Sequence, residues 1–250
     1  MKIYFLGCGG WIPDKDETSC FMVECKNKLI LLDAGTGISN LKNHLDVLHK
    51  YDTITILLTH YHLDHIIGLI YLLPYIKEKK LHIYGPGKPI YKKTTQQILE
   101  ELLNPVFFSR QLHKFCDEVY CYDYAGKDFK IEDISIGVKQ QKHAAPSFRL
   151  TVDNKLIYAT DTTFDELEWT DNYKGMTLLH ECWDITNDNV KHTSLENLLK
   201  GLPSYLLDST YLIHKNSQWT VTDYSNINKM ISGTGVKLAE DGQMILIEEQ

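Results

Sequence analysis

The sequence predicts an α/β protein in which two mixed β-sheets pack together with helices on the outside. Strand-like runs rich in Val, Ile, Phe and Tyr fall into two successive groups, their ends marked by Gly, Asp or Asn. Segments of helical length follow within each group, the pattern of a layered α/β arrangement. No Gly-, Pro- or Ser-rich linker, internal repeat or low-complexity tract divides the chain, so residues 1–250 read as one domain.

In chain order, "KIYFLG" is a strand running into the glycine turn of "GCGG", and "SCFMVEC", "KLILLDAG", "TITILLTH" and "LHIYG" continue the first strand group. Gly35, Thr36 and Gly37 offer backbone N–H groups that suit an anion, but a simple turn after the strand is the preferred reading. "HIIGLIYLLPYIKE" has helical length, with a kink or break expected at Pro74. "KPIYKKTTQQILEELL" reads as an amphipathic helix with Ile98, Leu99, Leu102 and Leu103 on or near one stripe. The second strand group comprises "EVYCYDY", "FKIEDISIGVKQQKH", "FRLTVD" and "KLIYATD". Helical "SLENLLKGL", strand-like "STYLIH" and a closing hairpin over "GVKLAEDGQMILIEE" complete the expectation.

Composition narrows the function classes. Hydrophobic content of 43% beside 24% charged residues is the balance of a soluble globular protein able to bury a substantial core. A net charge of -7 argues against a broad basic surface for nucleic acid, though a local basic patch stays open. The start lacks the long apolar segment of a signal peptide, and no apolar run is long enough to span a bilayer, so no membrane partner is expected. The six cysteines form neither a C-x-x-C pair nor a secreted disulfide framework, which places the chain in a reducing, cytoplasmic setting.

The chemistry concentrates in "THYHLDHIIGL". His60, His62, Asp64 and His65 form H-x-H-x-D-H directly after the apolar run "ITILL". Residues two apart on an extended chain point to the same side, so His60 and His62 can grip one ion together. Asp64 and His65 follow where the strand turns towards a helix and can face a second. Imidazole and carboxylate suit zinc, and also iron or manganese. A histidine-rich loop that merely tolerates these residues is the poorer explanation, since such groups are seldom packed at a strand end without a partner. His143, Asp161 and His214 each lie at or just beyond the end of a strand-like run, so their side chains can converge on the same sheet edge. His44, His49, His82 and His113 have no ligand-like neighbours and read as ordinary surface or core residues.

H-x-H-x-D-H after a hydrophobic strand resembles the signature of the metallo-β-lactamase superfamily, which implies an αββα sandwich with a dinuclear site between the sheets. The resemblance runs along nearly the whole chain. "SCFMVECKNKLILLDAGTG" is similar to a hairpin ending in a structural aspartate, here Asp33, which would orient the ligand loop. "QKHAAPSFRL" resembles the histidine strand of the ribonuclease Z-like branch, "LIYATDTTF" carries the matching metal-bridging aspartate, and "STYLIHKNSQW" supplies the last histidine. The resemblance therefore implies two divalent ions, zinc first with Mn2+ or Fe2+ as alternatives. His60, His62 and His143 would hold one and Asp64, His65 and His214 the other, with Asp161 bridging them. Cys182 stays outside this set, which is complete without it.

In the same branch a His-Glu segment precedes a His-Ser-Thr segment; here they become His180-Glu181-Cys182-Trp183 and His192-Thr193-Ser194. His192 would be the general acid that protonates the leaving oxygen and Glu181 its partner, with a carboxylate expected to favour imidazolium. Asp64, His192 and Glu181 are thus the expected catalytic residues. An alternative for His192 is a residue that simply precedes a helix capped by Thr193. The long Gly/Pro-rich basic arm of tRNA-processing members has no counterpart, and the segment from 86 to 125, with "NPVFFSRQLHKF", reads as a local lid or a homodimer contact.

The expected function is a phosphodiesterase acting on a nucleotide or other phosphodiester through a metal-bridging hydroxide. A tRNA 3′-endoribonuclease is the alternative, and it needs a basic face built from Lys77, Lys79, Lys80, Lys92 and Lys93. A lactone, thioester or β-lactam hydrolase and a non-catalytic metal-binding regulatory protein complete the alternatives.

Overall fold

The computed structural model describes residues 1–165, 168–186 and 191–248. Among these, the first seven-stranded sheet runs in the order β16 (Met244–Leu246), β1 (Lys2–Gly7), β3 (Cys20–Cys25), β4 (Lys28–Leu32), β5 (Thr53–Leu57), β6 (Lys80–Gly85) and β7 (Glu118–Asp123). The second runs β15 (Lys237–Leu238), β13 (Thr210–Ile213), β12 (Thr177–Glu181), β11 (Leu156–Ala159), β10 (Ser147–Val152), β9 (Ile134–Gln141) and β8 (Phe129–Ile131). A short parallel pair, β2 (Gly9–Gly10) with β14 (Lys215–Asn216), completes the strands. Both large sheets are mixed, as expected: β4 to β7 are parallel, as are β11, β12, β13 and β15, and the remaining pairs are antiparallel.

Side-chain alternation explains the layering. Along β1, Ile3 and Phe5 face the second sheet while Tyr4 and Leu6 face helices. Along β4, Ile30 and Leu32 face inward while Leu29 and Leu31 face outward. Strands apolar on both faces belong in the middle of a sandwich. The inner layer joins Phe21, Val23 and Leu57 to Leu150, Tyr158, Leu179 and Ile213 across the sheets. One outer layer packs Ile54 and Ile56 under helices α3 (Leu69–Ile76) and α5 (Thr95–Leu102). The other packs Ile157, Leu178 and Leu212 under α6 (Leu195–Gly201), α7 (Ser204–Leu207) and α8 (Val221–Ile231). Each fully buried Leu, Ile or Phe contributes about 1.5–3 kcal/mol of transfer free energy.

Several element expectations are corrected. The segment 65–78 is not one helix broken at Pro74: α2 (Leu63–Ile66) ends first, α3 begins after Gly68, and Pro74 sits inside α3. Gly68 donates its N–H to Ala34 O at 2.8 Å, and a Cβ there would lie 1.8 Å from Gly35 O. A tertiary contact, not proline, interrupts the helix. The segment 88–103 also splits, into α4 (Lys88–Tyr91) and α5. Lys92 turns left-handed (φ 61°), and Thr94 with Gln97 forms a capping box that restarts the helix. "FKIEDISIGVKQQKH" is the hairpin β8–β9. The closing segment is not a hairpin: β15 pairs with β13 in one sheet and β16 with β1 in the other. Helix α8 and strand β12 were absent from the expected element list. The single-turn α1 (Leu45–Leu48) is a minor addition.

Candidate metal centre

All the expected ligands gather at one edge of the sandwich, where the parallel strands end. Asp33 follows β4, the H-x-H-x-D-H loop follows β5, His143 follows β9, Asp161 follows β11, Glu181 ends β12 and His214 follows β13. Open α/β sheets bind ligands outside the carboxyl ends of their strands. Asp33, Asp161 and His214 all adopt left-handed backbone, with φ of 56°, 51° and 47°. For non-glycine residues this conformation costs about 1–3 kcal/mol each and clusters at functional sites.

The loop is built as expected. His62 is extended (φ -64°, ψ 150°) immediately before α2, which carries Asp64 and His65. Buried Asp33 anchors the loop, accepting from Thr59 N at 2.7 Å, Thr59 Oγ1, and Tyr158 OH at 2.8 Å, and pairing with His65 Nδ1 at 2.7 Å. Such carboxylate contacts fix ring orientation and leave Nε2 facing the site. His60 Nδ1 meets Thr59 Oγ1 at 3.0 Å, and His143 Nδ1 meets Lys191 O at 2.9 Å. The N–H groups of Gly35, Thr36 and Gly37 are consumed by Ser19 O, Thr18 Oγ1 and Thr18 O, so that stretch is a turn.

Two ligand-like sets result. One atom each from His60, His62, His143 and Asp161 lies within 4.8 Å of the others; so does one each from Asp64, His65 and His214. Asp161 Oδ2 is 2.9 Å from His65 Nε2 and 3.2 Å from His214 Nε2, while its Oδ1 is 3.4 Å from His143 Nε2. Asp161 therefore stands between the sets.

The donor chemistry fits metal ions. His60 Nε2 and His143 Nε2 are buried without a hydrogen-bond partner, and His65 Nε2 faces His214 Nε2 at 3.3 Å. Burial lowers His60, His62 and His143 below the usual imidazole value, leaving them neutral and ready to bind. Burial also opposes charge on His65 and His214, but Asp64 and Asp161 override it and raise both. Against the same burial, His65 and His214 hold Asp64 and Asp161 well below the usual carboxylate range. Positive charge, from protons or from a bound ion, thus favours the two buried carboxylates.

His192 and Glu181 also meet as expected. His192 Nδ1 lies 2.8 Å from Glu181 Oε2, and His192 forms a third cluster with Asp161 and His214 inside 4.8 Å. Trp183 stacks on the His192 ring at 4.8 Å. Glu181 also accepts from Thr162 N, and Thr193 Oγ1 donates to Thr162 O at 2.7 Å. Ser194, not Thr193, caps α6. Burial raises Glu181 and lowers His192, because two buried charges must both be desolvated. Residues 187–190 of this segment lie outside the described residues. Cys182 is buried and belongs to none of the three clusters.

Sequence reasoning missed the part played by the first glycine turn. Trp11 N donates to Asp64 Oδ2 at 2.8 Å, and a Cβ on Gly10 would lie 2.5 Å from the His214 ring. The glycines of "GCGG" were the visible signal, but not what they approach. Trp11 and Trp183 line a cavity of about 380 Å³ that opens onto His62, Asp64, His143 and His192.

Comparisons with known proteins agree with this geometry. The family described as "Anti-Pycsar protein Apyc1" matches residues 1–233. Ribonuclease Z of Metallosphaera sedula is 30% identical over 240 residues, covering 84% of this chain and 76% of that protein. Ribonuclease Z of Thermococcus kodakarensis is 28% identical over 152 residues, covering 59% of this chain; the match spans only 45% of that relative's length. A diphosphatase from the PhnP family has the same fold, with a TM-score of 0.72 and 17% identity over 99% of this chain and 98% of that one. The chain belongs to the Anti-Pycsar protein Apyc1 family, in the ribonuclease Z-like branch of the metallo-β-lactamase superfamily of metal-dependent hydrolases.

Proposed function

We propose that this protein is a dinuclear metal-dependent phosphodiesterase acting on a small phosphodiester such as a nucleotide. His60, His62 and His143 would hold one ion and Asp64, His65 and His214 the other, with Asp161 placed between the two sets. Zinc is the first candidate, with manganese and iron as alternatives for the same donors. Two such ions, when bound, activate water near neutral pH and stabilise charge on a phosphoryl oxygen.

The observation that carries the reading is the 2.8 Å contact between His192 Nδ1 and Glu181, placed against Asp161 and His214. Glu181 fixes the ring so that His192 Nε2 can deliver its proton to the departing oxygen while Nδ1 takes up the proton that Glu181 holds, and Trp183 covers one ring face against water. An alkoxide leaving group needs that proton; the stabilised nitrogen of a β-lactam needs it less. Turnover of bis-p-nitrophenyl phosphate beside a carboxylic ester and a nitrocefin-like lactam tests the assignment. The diester is expected to turn over fastest, and faster lactam turnover would overturn it.

A tRNA-processing activity is the second reading, favoured by relatives named ribonuclease Z. Against it, the five lysines do not cluster. Lys80 begins β6, whereas Lys92 and Lys93 lie beyond its other end, about 20 Å away for a strand of that length. Lys80 and Lys93 are also paired with Glu118 and Glu101. The family name adds a setting, activity against Pycsar, which we carry over to this chain as its setting. The six cysteines form no disulfide among the described residues, which supports a reducing, cytoplasmic location, and no helix among them is long and apolar enough to cross a membrane. The shared inner core supports reading the chain as one domain.

A further inference from the structure

A fully buried ion pair lies just outside the metal centre and belongs to none of the clusters described above. Lys215 is 1% exposed, and its Nζ reaches Asp16 Oδ2 at 2.7 Å and Ala239 O at 2.6 Å. Asp16 is 8% exposed, and its other oxygen faces Asp241 N at 3.5 Å. Asp241 in turn accepts from Cys8 N and Glu17 N, both at 2.8 Å. These contacts tie together three separated pieces of chain: the first glycine turn, the end of β13, and the crossing between β15 and β16.

Two of those pieces meet the second ligand set: the end of β13 carries His214, and the glycine turn touches His214 and, through Trp11 N, Asp64. Lys215 directly follows His214, and its N–H bonds to Cys8 O at 3.1 Å as β14 lies along β2, pairing Lys215 with Gly9 and Asn216 with Gly10. That pairing presses the His214 ring against Gly10, where no Cβ would fit, and sets Trp11 N against Asp64 Oδ2. The lysine side chain is locked by Asp16, so both strands of the small pair are held from behind. A buried ion pair is a weak source of net stability, because desolvation offsets its attraction, yet it penalises every arrangement that separates the charges. Held between the turn that carries His214 and the glycine turn that touches Asp64, it acts on geometry.

We propose that Lys215 is a positioning residue that, through Asp16, sets His214 and Asp64 at the distance a second ion requires. The inference rests on the dinuclear reading of the site. It predicts that the pair affects one ion and not the other, since His60, His62 and His143 come from elements the pair does not touch.

The test uses the full chain, stripped of metal and titrated with Zn2+ against a chromophoric chelator. Lys215→Met alone leaves Asp16 buried and unpaired, so the informative variant is Lys215→Met with Asp16→Leu, which removes both charges and keeps the apolar volume. The double variant is expected to fold, with a thermal midpoint in the metal-free state close to the parent's. One of its two Zn2+ affinities should fall by about 10–100-fold while the other is unchanged, the range typical of losing support behind a ligand. Two parental affinities in a folded double variant would overturn the proposal, as would equal losses at both sites. A double variant that fails to fold would make the pair a folding element and overturn it too. A parent protein that binds only one Zn2+ would instead sink the dinuclear reading, and this proposal with it.

Discussion

At the residue scale, His192 separates a phosphodiesterase from a generic metal site. It contacts Glu181 and sits beside Asp161 and His214, but His143, His60 and His62 complete their set without it. His192→Ala is therefore expected to keep the fold and both ions while losing about 10²–10⁴-fold in rate on a diester with a poor leaving group. On a p-nitrophenyl diester the loss should be much smaller, because p-nitrophenolate leaves without a proton. Glu181→Gln should repeat the pattern more weakly, since the proton donor stays. Equal losses on both substrates, with metals intact, would remove His192 from the proton-transfer role. A second residue-scale outcome concerns pH. His65 and His214 are raised by Asp64 and Asp161 against their burial, so in the free protein they carry protons that an ion must displace. Metal binding should thus release protons and weaken as pH falls. Calorimetry in buffers of different ionisation enthalpy checks this, and a binding enthalpy independent of buffer would contradict it.

At the scale of elements, the close approach of the Asp33–Gly35 turn to the ligand loop decides where α2 ends. A Cβ at Gly68 would lie 1.8 Å from backbone oxygen of Gly35, and neither backbone can yield without moving the loop that carries Asp64 and His65. Gly68→Ala should cost about 1–3 kcal/mol, the range for overpacking a close-packed interior, and lower the thermal midpoint of the metal-free protein. An unchanged midpoint would mean the loop is softer than its contacts imply. Gly68 also explains why the helix around Pro74 was misplaced. Hydrophobic period reports a helix's length, but a hydrogen bond to Ala34, distant in sequence, leaves no local mark. The α4–α5 break was legible, since Thr94 and Gln97 spell a capping box inside the amphipathic run. The false C-terminal hairpin has another cause. Two short strands either side of "EDGQ" look alike whether they pair with each other or with different sheets, and only the partners β13 and β1 decide.

Across the whole molecule, the layered architecture was legible because strands apolar on both faces admit few other solutions. The site was legible where ligands are adjacent, from His60 to His65, since their spacing alone encodes a shared direction. His143, Asp161 and His214 became meaningful through family resemblance and the order of their arrival; their convergence needs both sheets. The supporting contacts were not legible. Trp11 N–H on Asp64, Gly10 against His214 and the Lys215–Asp16 pair join positions up to about 200 residues apart, and no local pattern marks them. The left-handed backbone of Asp33, Asp161 and His214 is likewise a product of tertiary packing.

The central claim, that two ions bridged by Asp161 serve phosphodiester hydrolysis, is tested most directly by titrating the metal-free protein with Zn2+ while following bis-p-nitrophenyl phosphate turnover. The account predicts that activity stays low through the first equivalent and reaches its maximum only as the second is bound. Asp161→Ala should remove that second step and weaken the first. Full activity at one equivalent, or two bound ions with no diester turnover, would contradict it.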